Sequence, residues 1–229
     1  MSDSFSLVDR YAVGDMQTYL SRAGRVEDGS VRLIAAGGVL AAYTAIFYPR
    51  GILDESPTVL GLRTFALAGS TGFDAVVPAR SLLERLARAE AVAAEQGNAD
   101  TGPVTLSLPH QVSTVTWAGI SPPKGGWVRQ EPADAAALEG VARAGIDEVA
   151  AAVPSGVGEQ IVQRVRTEVW GRPIESLEHV PAGAAFAAFT LGFLSADEPV
   201  QIFETGPWTR LSTSRGHVLV RRKPWSLRS

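Results

Sequence analysis

Ser70 sits in Ala68-Gly69-Ser70-Thr71-Gly72, which fits Ala-x-Ser-x-Gly, a relaxed form of the nucleophile elbow. Such an elbow does acyl chemistry by holding a serine hydroxyl exposed on a sharp turn between a strand and a helix. A strand pattern does precede Ser70. The residues after the turn, Phe73-Asp74-Ala75-Val76-Val77-Pro78, read as extended, and Pro78 obstructs an immediate helix. A plain Gly-Ser-Thr-Gly turn explains the same residues.

His110, His179 and His217 are the three imidazoles. Metal pairs on a helix need i, i+4 spacing or similar, and no two of them have it. No metal site is expected, and no cofactor motif is present. His110 shares strand parity with Leu106 and Leu108, which predicts an inward, hydrogen-bonded imidazole. Ser155-Gly156-Val157-Gly158-Glu159 opens a helix, where backbone amides can hold phosphate. The lysine of the phosphate-binding loop and the full Gly-x-Gly-x-x-Gly are both missing, and Ser155 as an N-cap explains the segment equally well. The acid pairs Asp54-Glu55, Asp147-Glu148 and Asp197-Glu198 are neighbours in sequence, and neighbours on a helix diverge by about 100°. They read as solvated surface.

The carboxy-terminal segment stands above this background. From Thr205 to Ser229 the basic residues are Arg210, Arg215, Arg221, Arg222, Lys223 and Arg228, and all 24 acids lie in the preceding 204 residues. Such asymmetry marks an anion or nucleic-acid site. Trp208 and Trp225 lie close enough in sequence to stack on a base or beside a guanidinium. The structural alternative is an edge hairpin that uses its charges to discourage strand pairing. Trp117 and Trp127 bracket Pro122-Pro123-Lys124-Gly125-Gly126 and could border a pocket or an interface, although core packing is the common use of such rings.

Composition bounds the reading. The 229 residues are 45% hydrophobic and 20% charged, with a net charge of −3, an ordinary globular balance. Cysteine is absent, which excludes disulfides, thiolate nucleophiles and zinc ribbons. The 19 Arg against 2 Lys, with 33 Ala, suit a high-GC bacterial genome. Met1-Ser2-Asp3-Ser4 lacks the basic start of a signal peptide, so a cytoplasmic location is expected. Leu33 to Tyr48 and Val180 to Leu194 are uncharged but fall short of the roughly 18–20 residues of a membrane span, so both read as buried core.

The elements that must position these residues are set by periodicity. Helices are predicted over Asp15 to Ala23, Ala79 to Gln96, Pro132 to Val153, Gly156 to Trp170 and Pro181 to Leu194. Strands are predicted over Ser30 to Ile34, Val39 to Tyr48, Thr58 to Leu67, Val104 to Leu108, Val112 to Ile120 and Val200 to Glu204. A hairpin pairs Trp208 to Thr213 with His217 to Arg222. Gly97 to Gly102 reads as a linker. Residues 41–47 and 187–193 rhyme, Ala-Ala-Tyr-Thr-Ala-Ile-Phe against Ala-Ala-Phe-Thr-Leu-Gly-Phe, which raises the idea of a duplicated fold.

The expected fold is α+β, with antiparallel sheet strands in both halves and a run of three helices before a C-terminal β-hairpin. It forms one domain over 1–229 or two intimate half-domains, 1–97 and 103–229. The function expected is a non-catalytic binding or protein-interaction protein, a homo-oligomer (a dimer in the simplest case). Arg210, His217, Arg221 and Arg222 of the terminal hairpin are its anion- or ligand-binding group. The alternatives are a small-molecule hydrolase or acyl- or CoA-type transferase, its site assembled from His110, Ser70 and Arg210, and nucleic-acid binding through the last 25 residues. Whether the chain is an enzyme is left open by the sequence. An anionic small molecule is a candidate ligand, and no membrane partner is expected.

Overall fold

The computed structural model describes residues 4–51, 54, 56–95, 102–112, 115–153, 158–175 and 177–222. It divides into two units. Unit 1 comprises Met1–Ala45 and Leu62–Ile120, and unit 2 comprises Ile46–Gly61 and Ser121–Ser229.

In unit 1, β1 (Ser4–Leu7) buries Phe5 and Leu7 and pairs antiparallel with β6 (Val104–Ser107). Between them in the chain, α1 (Arg10–Val26) starts where the Asp9 carboxylate accepts a 2.8 Å hydrogen bond from the Ala12 N–H. That cap satisfies a donor the helix itself leaves open and draws the helix five residues earlier than its apolar periodicity alone predicts. Val13, Met16, Tyr19, Leu20 and Ala23 form its buried stripe. The buried Tyr19 hydroxyl donates to the Ala42 carbonyl at 3.2 Å and lies 2.9 Å from the Thr44 hydroxyl. Burial pushes its pKa upward, so it stays a neutral donor.

β2 (Ser30–Ala36) and β3 (Val39–Phe47) form a hairpin through Gly37 and Gly38, whose φ values of +58° and +79° suit the tight turns that match strand twist. β4 (Thr58–Ala66) is next to β3 in the sheet, and both strands are divided between the units. β5 (Phe73–Pro78) pairs with the far side of β2. It runs into α2 (Ala79–Glu95), which buries Leu82 and Leu86 completely.

Unit 2 starts its sheet with β7 (Val128–Arg129), then forms α3 (Ala135–Ala152) and α4 (Glu159–Gly171). Asp134 caps α3 by accepting from the Ala136 N–H. A short ladder of β8 (Pro173–Ile174) and β9 (Leu177–Pro181) precedes α5 (Ala182–Thr190). The last three strands are β10 (Gln201–Thr205), β11 (Trp208–Thr213) and β12 (Gly216–Arg221), and the sheet order is β12-β11-β10-β7. Alanines 184, 185, 187 and 188 of α5 are buried, and small side chains allow close helix packing. Trp170 stacks on Phe186 with ring centroids 4.2 Å apart.

The two units repeat one set of elements in a permuted chain order. The sequence β1-α1-β2-β3-β4 matches β9-α5-β10-β11-β12, while β5-α2-β6 matches β7-α3-β8. The pairings agree as well: β5 lies on β2 as β7 lies on β10, and β1 on β6 as β9 on β8. Helix α4 is the extra element. The rhyme of residues 41–47 with 187–193 is not this repeat, because the first lies in β3 and the second begins in α5.

Three expectations are corrected. The described residues of the expected Val112 to Ile120 strand form none: Thr116–Gly119 is a 3-10 turn whose consecutive Trp117 and Ala118 are both buried, which a period-two strand does not allow. The turn frees the Ala118 carbonyl to accept from the Arg32 guanidinium at 2.7 Å. His110 is exposed, because β6 ends at Ser107 and the parity extrapolated from Leu106 ends with it. The helix from Pro181 also stops at Thr190, short of Leu194. The linker residues 97–101 lie outside the described residues.

Candidate functional site

Residues directly opposite each other in an antiparallel ladder share a face of the sheet. On one face of the unit 2 sheet, Arg129, Phe203, Arg210 and Leu219 form a row across all four strands. Gln201, Ser212 and His217 form a row on one side of it, and Thr205, Trp208 and Arg221 a row on the other. Among the residues of β7, β10, β11 and β12 on this face, three are arginines, one is histidine and none is acidic. The opposite face carries Ile202, Leu211, Val218 and Val220, all buried.

Arg210 is the centre of the arrangement. Its guanidinium carbon lies 4.5 Å from the centroid of the Phe203 ring and 4.6 Å from that of Trp127. Aromatic faces attract a guanidinium and hold its plane. Its Nε is buried without a hydrogen-bond partner among the described residues. Burial without a carboxylate lowers its pKa, which nonetheless leaves an arginine charged. Two rings thus orient a planar fork of donors, and nothing among the described residues accepts from it.

The loop before β7 places Trp127. Its indole N–H donates to the Pro123 carbonyl at 3.0 Å, and Gly126, at φ +78°, carries the chain past Thr205 so closely that a Cβ there would lie 3.3 Å from the threonine hydroxyl. Arg129 is exposed and donates to the Gln201 side-chain oxygen. His217 Nδ1 lies 2.9 Å from the Ser212 hydroxyl. Burial, and then the positive charge of Arg210, push the His217 pKa below its ordinary value, so the imidazole is neutral near pH 7.

The structure therefore unites Arg210, His217 and Arg221 and separates Arg222 from them. Arg222, one residue on, lies 3.5 Å from the Glu204 carboxylate and donates to the Gly206 carbonyl at 3.3 Å. The same Glu204 oxygen is 3.6 Å from His179 Nε2 and accepts from the Thr209 hydroxyl at 3.3 Å. Arg222 and His179 line an open pocket of about 210 Å³ with Pro57, Pro173, Glu178 and Pro181. Lys223 and Arg228 lie outside the described residues.

The other candidates share no side-chain hydrogen bond or ion pair with one another among the described residues. Ser70 and His110 are exposed in unit 1 without side-chain hydrogen bonds among the described residues, and Arg210 belongs to unit 2. Ser70 leads into a strand, β5, and not into a helix. Ser155 lies outside the described residues, and Gly158 caps α4 without a side-chain bond. Glu148 pairs with Arg172 at 2.9 Å, and Glu198 accepts from the Ser214 N–H and hydroxyl at 2.7 and 2.6 Å, so these acids hold structure together. Trp117 is core, whereas Trp127 joins the site. No group of three or more His, Asp or Glu side chains among the described residues could hold a metal ion. No described helix is long and apolar enough to cross a membrane. Sequence reasoning missed Arg129 and Phe203; the period-two alternation of β10 and β11 could have placed Phe203 opposite Arg210 once the hairpin register was known.

A family described as a domain of unknown function, DUF8010, matches residues 1–108, and another, DUF8185, matches residues 122–225. No curated protein matches the chain. Two solved structures resemble it along almost its whole length. One is Caulobacter crescentus pol III beta, at 12% identity and TM-score 0.52, covering 98% of this chain and 67% of that one. The other is DNA polymerase III subunit beta from Borrelia burgdorferi in complex with a natural product, at 7% identity and TM-score 0.52, covering 98% and 66%. The chain spans about two thirds of the length of these relatives. Its α+β architecture is sliding-clamp-like, similar in fold to about two thirds of the DNA polymerase III beta subunit.

Proposed function

We propose that this chain is a non-catalytic interaction protein that uses the fold of a polymerase beta subunit as a scaffold. The acid-free face of its unit 2 sheet is the surface that takes an anionic partner. The observation that carries this reading is the Arg210 guanidinium, held against the rings of Trp127 and Phe203 with no acceptor among the described residues, in the company of Arg129, Arg221 and His217. A planar, pre-oriented fork is suited to carboxylate or phosphate. Isothermal titration with a short poly-glutamate tests it: saturable binding that weakens with salt and is lost when Arg129→Ala and Arg210→Ala are combined is the expected result. Binding unchanged by the double substitution removes the site.

A second reading is single-stranded nucleic acid on the same face, supported by the aromatic ring of Trp127 beside the arginines and by the polymerase subunits that share the fold. A dT oligonucleotide whose affinity falls steeply with salt is its expected result. Self-association is also proposed, by analogy with the fold it shares with the DNA polymerase III beta subunit, and a monomer at every concentration in sedimentation velocity removes it.

A further inference from the structure

β7 is the outer strand of the unit 2 sheet, and among the described residues no strand pairs with the edge that faces away from β10. The Gln130 N–H donates to the Ile202 carbonyl at 2.9 Å, and Val128 and Arg129 lie opposite Glu204 and Phe203. Hydrogen bonding alternates along an antiparallel strand, so the Arg129 N–H and C=O point outward, to the free edge. One donor and one acceptor side by side are what an incoming strand requires, while a phosphate could use only the donor. Val128 is 62% exposed beside them.

Charge decides which strand fits. Two copies of this chain paired edge to edge about Arg129 would set two Arg129 side chains opposite each other, and like charges directly opposite destabilise a ladder. The side chain of Arg210 reaches across Phe203 toward Trp127, which immediately precedes β7, and so brings a second positive charge toward the same edge. A partner strand with carboxylates on alternate residues would meet both. A long polyanion is less well served. The five helices carry nine acids and nine bases, the chain is −3 overall, and the exposed Glu131 lies just past the strand.

We propose that the β7 edge binds an acidic, extended peptide segment as an added strand, paired through the Arg129 backbone and held by its carboxylates on the Arg129 and Arg210 side chains. This deepens the anionic-partner reading and rests on it.

The experiment uses the full chain and three probes: a capped eight-residue peptide alternating Glu and Val, the same peptide N-methylated on alternate residues along its pairing edge, and a dT oligonucleotide of equal charge. N-methylation removes the strand's donors and blocks close approach without changing charge. The expected result is that the plain peptide binds, and that the methylated peptide binds at least about tenfold more weakly. Arg129→Ala and Arg210→Ala should each weaken the plain peptide by a similar factor. Equal binding of the two peptides overturns strand addition and leaves the anionic face standing. Tighter binding of the oligonucleotide overturns the choice of a peptide, and binding of none of the three overturns the face itself.

Discussion

A Cβ at Gly145 would lie 2.3 Å from Cζ3 of the buried Trp170. Glycine in mid-helix normally costs stability, and exchange for alanine restores about 0.5–1 kcal/mol. Here the neighbour is an indole wedged against Phe186 and unable to retreat. Gly145→Ala is expected to destabilise unit 2 by about 1–3 kcal/mol through overpacking. Gly140, on the same helix with nothing within 4 Å of its would-be Cβ, should show the normal sign. Urea unfolding of the two variants reads the contrast directly.

In unit 1 the Arg32 guanidinium holds the Asp74 carboxylate with two bonds, of 2.9 and 2.7 Å. That hydrogen bonding keeps the Asp74 pKa below its ordinary 3.8. A depressed acid pKa contributes stability above the ordinary value and loses it as pH falls further. Asp74→Asn should therefore cost about 1 kcal/mol at neutral pH, at the low end of charged bonds because the carboxylate is half exposed. Below pH 3.8 the variant and the parent should converge in thermal unfolding.

His217 gives a second pH dependence. Its pKa is lowered from 6.5 by burial and by Arg210. Above 6.5 the imidazole is neutral in both folded and unfolded chains, and its contribution is complete. As pH falls below 6.5 the unfolded chain takes up the proton first, so stability declines. His217→Gln should flatten that part of the stability curve, and an unchanged slope would show that another group titrates there.

Arg210→Lys tests the role of shape at the anionic face. Lysine keeps the charge but loses both the planar fork and the favourable stacking on two rings. Affinity for the acidic peptide should fall by about tenfold, against little change for Arg215→Lys, whose exposed side chain lies in the hairpin turn.

Much of the architecture was legible because burial has a period. The stripes Met16, Tyr19, Leu20 and Leu82, Leu86 announced α1 and α2, and Gly37-Gly38 announced a hairpin. The short strands β1, β7, β8 and β9 were not, since two to five residues carry too little alternation to stand out. The site was half legible. The charge asymmetry of the tail pointed to Arg210 and Arg221. Only the register Phe203 opposite Arg210 and the loop fold that brings Trp127 over the guanidinium showed that one arginine is framed by rings while Arg222 is tied to Glu204. Those are long-range pairings, and no local pattern encodes them.

The most direct measurement tracks the arginine Nε–Hε and backbone amide resonances of ¹⁵N-labelled protein as the Glu-Val peptide is added. Saturable shifts at Arg210 Nε and at the Arg129 amide, with the helices silent, are the predicted result. Shifts confined to α1 to α5, or none at saturating peptide, would contradict the account.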